Sequence, residues 1–242
     1  MRSGNPVLNK ETFDIAPEGE RMTIAGTVNK TGILLALVVI TAIYTWGRFY
    51  STGDASTIMP LVWTGAIGGL VFCLITVFKK EWAGVTAPIY ALLEGLVVGG
   101  LSALFEAAYP GIVVQAVGLT FGTLACLLLA YKSGLIKATE NFKLGVVAAT
   151  GGIALLYLVS MVMSMFGKPI GFIHEGGMFG ILFSGFVVVI AALNLVLDFD
   201  FIEAGAEQGA PKYMEWYGAF GLTVTLIWLY LEILRLLAKL RK

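Results

Sequence analysis

The sequence predicts an all-α polytopic membrane protein, a seven-transmembrane-helix bundle with the last helix at its centre, and three observations predict it. Hydrophobic residues make up 58% of the 242 positions and charged residues 13%, with a mean hydropathy of +0.86, a composition foreign to a soluble domain of this length. Apolar runs of about twenty residues recur, the length of a spanning helix rather than the roughly ten of a barrel strand, and a helix satisfies its own backbone amides in lipid. The last run is interrupted by Glu232, with Arg235 one turn later. An ionised side chain near the bilayer centre costs about +2.5 kcal/mol or more, so this run must turn that face into protein.

Met1 to Lys30 reads as a polar cytoplasmic tail, in which Arg2, Lys10, Arg21 and Lys30 are balanced by Glu11, Asp14, Glu18 and Glu20. No apolar core follows the first bases closely enough for a signal peptide. The transmembrane domain, 31–242, then offers spans at Gly32 to Tyr50, Ile58 to Phe78, Ala83 to Leu104, Ile112 to Tyr131, Leu144 to Phe166, Met178 to Phe201 and Gly218 to Leu237. Tyr109-Pro110 permits only a tight turn, which sets the third and fourth spans side by side. Glycines at three- to five-residue spacing (Gly68-Gly69, Gly95 with Gly99-Gly100, Gly118 with Gly122, and Gly177, Gly180 and Gly185) predict close helix packing.

With the amino terminus inside, the inner segments hold Arg2, Lys10, Arg21, Lys30, Lys79, Lys80, Lys132, Lys137, Lys143 and Lys212, against Arg48 and Lys168 in the outer loops. That bias orients the bundle with a cytoplasmic amino terminus. Seven crossings leave Arg235, Lys239, Arg241 and Lys242 outside, where they reach the far headgroups by snorkelling; a re-entrant last segment is the alternative, and a full crossing is the reading preferred.

Several function classes are excluded. Equal numbers of basic and acidic residues, 16 of each, give no basic stripe for nucleic acid. No glycine run sits between a strand and a helix as a phosphate loop requires. His174, the one histidine, is followed by Glu175 but has no second His at helical spacing, so neither a membrane metalloprotease nor a serine hydrolase can be assembled. Cys73 and Cys126 fall inside spans and read as small hydrophobes. An enzyme is not predicted, and no resident cofactor.

The chemistry lies in the intramembrane acids. Glu94 is about 15 Å deep in the third span, a candidate ion-path or gate residue, with Ser102 two turns on. The sixth span closes in LDFDFIE, placing Asp198, Asp200 and Glu203 at its end, with Asn194 one turn above Asp198; Asn194 and Asp200 are further path candidates. Measured from the span ends, Asp198 lies about 6 Å and Glu232 about 21 Å inside, an offset that falls to about 9 Å if the interfacial linker extends to Gly221.

The seven spans, LDFDFIE, the last span WLYLEILRLL and the opening MRSGNPVLN together resemble the Bax inhibitor-1 superfamily, in particular its bacterial YccA- and YetJ-like members, over essentially the whole chain. The resemblance implies a protein of the bacterial cytoplasmic membrane that leaks calcium in a proton-sensitive way. Asp198 and Glu232 match the two acids that form the family's proton-sensing pair, which would bind calcium transiently as the transported ion. Close carboxyls in a dry site cannot both ionise cheaply, so such a pair titrates as one coupled unit, and hard oxygen ligands suit calcium. Two features depart from the pattern. The seventh-helix acid is Glu rather than Asp, and the second-helix arginine that latches the sixth-helix acid has no counterpart beyond Lys79 or Lys80; Arg235 completes the candidate latch bases. The alternative reading is a regulatory or scaffold protein that binds another membrane protein, such as a membrane protease.

Overall fold

The computed structural model describes residues 21–167 and 177–241. Residues 1–20 of the predicted tail, Lys168, His174 and Glu175 lie outside them, as does Lys242. Seven helices among the described residues are long and apolar enough to cross a membrane, making this an all-α integral membrane protein. They are α1 (Ile24–Thr52), α2 (Met59–Phe78), α3 (Ala83–Ala108), α4 (Ile112–Lys132), α5 (Glu140–Met165), α6 (Met178–Glu207) and α7 (Met214–Leu240). Short 3₁₀ turns, Ala55–Thr57 and Lys80–Trp82, lead into α2 and α3.

The caps follow from the sequence. Thr23 accepts the Gly26 amide at the head of α1, and Gly53, at φ 67°, ends it in the left-handed conformation that favours glycine. Thr139 accepts the Phe142 amide to start α5, and Pro60 occupies the first turn of α2, where a missing amide costs nothing.

Helix α7 is the axis. Its span is 61% buried, against 17% for α2, α4 and α5, and it packs against α1, α3, α4 and α6. Leu195 of α6, Ile112 and Ala116 of α4 and Leu229 and Leu234 of α7 form one core; Leu34 of α1, Ala87 and Ala91 of α3 and Ala219 of α7 form a second. The outer helices present Ile, Val, Leu and Phe to lipid, so the expected central seventh helix is the arrangement observed. Helix α5 is peripheral and packs on α6.

Two boundaries differ most from expectation. Helix α1 starts at Ile24, eight residues ahead of Gly32, because Thr27, Lys30 and Thr31 are taken up by contacts on the helix rather than by a tail: both threonines are buried, and Lys30 meets Glu215. Helix α6 continues to Glu207 rather than stopping at Phe201, so Asp198, Asp200 and Glu203 lie within a helix and not at its end. Helix α7 runs unbroken for 27 residues, about 40 Å at the helical rise, which suits a crossing and not a re-entrant segment. The face on which α1 begins is called the near face below, and the face on which α7 ends the far face.

Half of the glycine pattern packs as expected. A Cβ on Gly95 would sit 2.0 Å from Thr41 Oγ1 and 2.3 Å from the Val38 carbonyl, and one on Gly99 would sit 2.3 Å from the Ala42 carbonyl, so α3 touches the α1 backbone. Gly68 and Gly69 lie against Leu93 and Glu94 of α3. The expectation fails at Gly118, Gly122, Gly177 and Gly185, where a Cβ would meet nothing within 4 Å; small-residue spacing marks a groove whether or not a neighbour fills it. Gly99→Val should therefore destabilise the protein by at least about 1–3 kcal/mol, and Gly118→Ala should leave thermal melting in detergent unchanged. Equal melting of the two variants would contradict the close α1–α3 contact.

Candidate functional site: a polar seam along the last helix

Polar side chains in the outer half of the bundle line up where α5, α6 and α7 meet. On α5 they recur every seventh residue, Lys143, Thr150 and Tyr157, a spacing of two helical turns that keeps them on one face. At the near-face end Lys143 Nζ pairs with Asp200 Oδ2 at 2.8 Å. One level deeper, Asn194 donates to Thr150 Oγ1 at 2.8 Å and to the Ile190 carbonyl at 2.8 Å. Beyond the midplane, Tyr157 donates to Glu232 Oε1 at 3.0 Å. Arg235 Nη1 donates to the same oxygen and to the Tyr157 hydroxyl, each at 2.8 Å. Towards the far face the buried Lys239 donates to the Gly180 carbonyl at 3.0 Å and to Ser184 Oγ at 2.9 Å, and Ser160, one turn beyond Tyr157, is buried.

Asp198 faces α7 at the level of Gly221 and Thr225: a Cβ on Gly221 would sit 3.9 Å from Asp198 Oδ1, and the Thr225 hydroxyl lies beside the carboxyl. Absence of a side chain at Gly221 leaves the carboxyl room against the α7 backbone. Among the described residues three polar atoms in this part of the bundle are buried without a hydrogen-bond partner: Asp198 Oδ2, Glu232 Oε2 and Ser160 Oγ. An unmet buried oxygen costs about 1–3 kcal/mol; a proton carried by the carboxyl itself, a water or a cation would each remove that cost.

The structure does not bring Asp198 and Glu232 together. Glu232 is seven residues beyond Thr225, about 10 Å along α7, and its partners are Tyr157 and Arg235, whereas Asp198 sits with Thr225 and Gly221. Because α6 and α7 are antiparallel neighbours, a residue nine places before the end of α6 cannot meet one eighteen places past the start of α7. Glu94 lies elsewhere again, against Gly69 of α2, on the opposite side of α3 from the seam. Its suggested companion Ser102 is bonded to the Tyr230 hydroxyl at 2.6 Å. Of the candidate latch bases only Arg235 touches a candidate acid. Lys80 lies over the Tyr217 ring, 5.3 Å from its centroid, and Lys79 closes α2; neither reaches Asp198. Glu203 accepts from Tyr131 at 2.5 Å, at the near-face surface.

Sequence reasoning missed Thr150, Tyr157, Thr225 and Lys239, and the seven-residue spacing of Lys143, Thr150 and Tyr157 was the signal that could have found the first two. It also missed Glu215, a fully buried carboxylate. Lys212 Nζ donates to it at 2.8 Å, Lys30 pairs with it, and Thr23 donates from its amide at 2.9 Å and its hydroxyl at 2.8 Å. Gly26 makes the space, since a Cβ there would lie 2.2 Å from Glu215 Oε1. This knot ties the head of α1 to the head of α7. The Met22 amide, bonded to the Ala210 carbonyl at 2.7 Å, extends it to the α6–α7 turn. Among the described residues no group of three or more His, Cys, Asp or Glu gathers as a metal site.

No curated protein and no solved structure matches the chain. The sequence model of one family does, over residues 5–242, and so nearly the whole of the chain with its central seventh helix and its row of intramembrane acids belongs to the Bax inhibitor 1 like family.

Proposed function

We propose that the protein is a proton-sensitive leak for cations, calcium foremost, with the seam between α5, α6 and α7 as the path. The observation that carries this reading is the row of acids at successive depths, Asp200, Asp198 and Glu232, of which the inner two each hold a buried oxygen that no donor meets. Carboxylate and carbonyl oxygens are the ligands a hard cation exchanges for water. An ionised acid inside a membrane is costly, and such residues accordingly mark ion paths and proton relays. Asp198 on α6 and Glu232 on α7 act as two separate proton-sensitive stations along the seam, the first gated by its own protonation and the second held by Arg235 and Tyr157. Arg235 blocks the path as an internal cation, and its side chain, 40% exposed, has room to swing aside. Family membership and the excess of bases at the near face support a bacterial cytoplasmic membrane with the near face cytoplasmic.

The experiment is calcium flux into proteoliposomes across mildly acidic to mildly alkaline buffers. Protonation removes the negative charge that draws the cation in, so flux should rise with pH. Tyr157→Phe keeps the ring but removes the hydroxyl bonded to both Glu232 and Arg235, leaving the arginine held by the carboxylate alone, and should raise basal flux severalfold by loosening it. A wild-type protein that passes no calcium at any pH overturns the reading and leaves a regulatory or scaffold role, to be sought by capture of a membrane-protein partner.

A further inference from the structure

A cleft of about 470 Å³ opens on the other side of α7, between α1, α3, α4 and α7, and takes no part in the seam. Its rim is apolar and exposed: Ile43 of α1 and Val114 and Val117 of α4 stand 65%, 77% and 40% exposed. Leu226, Ile227 and Tyr230 of α7 are among the residues lining it. The one hydroxyl of that trio, on Tyr230, is spent on Ser102, so the floor offers an apolar surface. The volume falls within the range of about 300–1,000 Å³ typical of small-molecule sites.

Its position states what fills it. On α4 the lining runs from Val113, one residue from the far-face end, to Phe121, about 12 Å of helix. On α3 it runs from Glu106, two residues from the far-face end, back to Val98, again about 12 Å. The cleft therefore extends from the far-face interface towards the midplane of a hydrocarbon core about 30 Å thick, which is the reach of one leaflet. At the interfacial end the Glu106 carboxylate is turned onto the backbone amides of Gly111 and Val113, at 2.5 and 3.0 Å, where it caps α4. Arg241 is an exposed charge at that end and donates to the carbonyls of Tyr109 and Pro110 and to Gln115 Oε1, all neutral acceptors; among the described residues no salt bridge joins it to an acid.

We propose that this cleft is a binding site for one phospholipid of the far-face leaflet, its acyl chain lying in the cleft and its phosphate on Arg241. Burial from lipid into the cleft gives no hydrophobic gain, since both are hydrocarbon. Retention comes from close packing against a concave wall, where an empty cleft would forfeit dispersion contacts, and from the charge-assisted bonds of guanidinium to phosphate. The site is independent of cation flow: it shares no side chain with the seam.

The test uses the full chain in nanodiscs containing a phospholipid with a photoreactive group near the end of one acyl chain. Cross-links are mapped by mass spectrometry. Ile43, Val114 and Val117 should be labelled about tenfold more than the equally exposed Leu155 and Val159 on α5, a ratio equivalent to 1.4 kcal/mol. Val117→Trp and, independently, Ile43→Trp fill the cleft from its rim and should each abolish the excess while the melting temperature stays within a few degrees of wild type. Arg241→Gln should lower the excess for the phospholipid but not for a diacylglycerol carrying the same chain. Labelling of cleft and α5 positions alike shows only annular lipid and overturns the proposal, as does an excess that survives both tryptophan variants; an excess that Arg241→Gln does not touch overturns the headgroup assignment.

Discussion

Glu215→Ala should destabilise the protein by about 3 kcal/mol, the lower end of the cost of breaking a buried ion pair from one side. The carboxylate is fully buried and receives two lysines and both donors of Thr23, so its removal strands several groups at once. The lower end applies because the side chains of Lys30 and Lys212 keep 17% and 48% exposure and recover water when the acid is gone. Glu215→Gln keeps an acceptor for Thr23 but no charge for the lysines, and should cost roughly half as much. Gly26→Ala attacks the same knot from the other helix, since its Cβ would fall on the carboxylate. The readouts are thermal or denaturant unfolding in detergent, together with protease cleavage around Arg21, which should become faster as the head of α1 loses its anchor. Wild-type unfolding and wild-type cleavage in Glu215→Ala would show that the knot holds nothing.

The fold was legible because membrane helices announce themselves: about twenty apolar residues can be satisfied in lipid in one way only. Centrality of the last helix was legible too, since Glu232 forbids a lipid-facing position on that face. Helix ends were less so. Hydropathy stops at the first charged residue, but a helix does not, and so α1 was read to begin past Lys30 and α6 to end near Asp200. Both charged stretches stay helical because partners on other helices receive them: Glu215 receives Lys30, and Lys143 receives Asp200.

Depth along a helix was the quantity least accessible from sequence, and it decides which acids meet. Asp198 and Glu232 both fall within helices long and apolar enough to cross a membrane, yet which acids touch depends on where the α6–α7 turn falls, and α6 ends six residues later than the hydropathy of the sixth span suggested. The missed residues share a second cause. Tyr157, Thr150 and Ser160 are neutral and unremarkable on a helix read alone, and acquire meaning only when α6 and α7 put Asn194 and Glu232 opposite them. Lys239 was read only as a base snorkelling to headgroups, and Arg235 both as that and as a candidate latch; Lys239 is buried against α6 and Arg235 is bonded to Glu232 and to Tyr157 of α5.

This geometry changes what a double substitution should do. Were Asp198 and Glu232 one proton-sharing pair, Asp198→Asn with Glu232→Gln would act no more strongly than either alone, as members of one network do. They stand about 10 Å apart along α7, with Thr225 beside one and Tyr157 and Arg235 around the other, and sites so separated combine within about 0.3–0.5 kcal/mol. Each substitution removes a charge that draws calcium inward, and Glu232→Gln also leaves the Arg235 cation unneutralised in the path, so each should lower the flux at alkaline pH, by about tenfold if the lost attraction is near 1.4 kcal/mol, and the double variant by about a hundredfold on the same scale. Both neutral replacements are blind to protons, so each single variant should keep a shallower rise of flux with pH and the double variant should be flat. Glu94→Gln, facing Gly69 across α3 and away from the seam, should keep the wild-type pH profile. A double variant no weaker than the singles would restore the shared-proton pair, and a Glu94→Gln protein with a flattened profile would move the path from the α5–α6–α7 seam to the interface of α2 and α3.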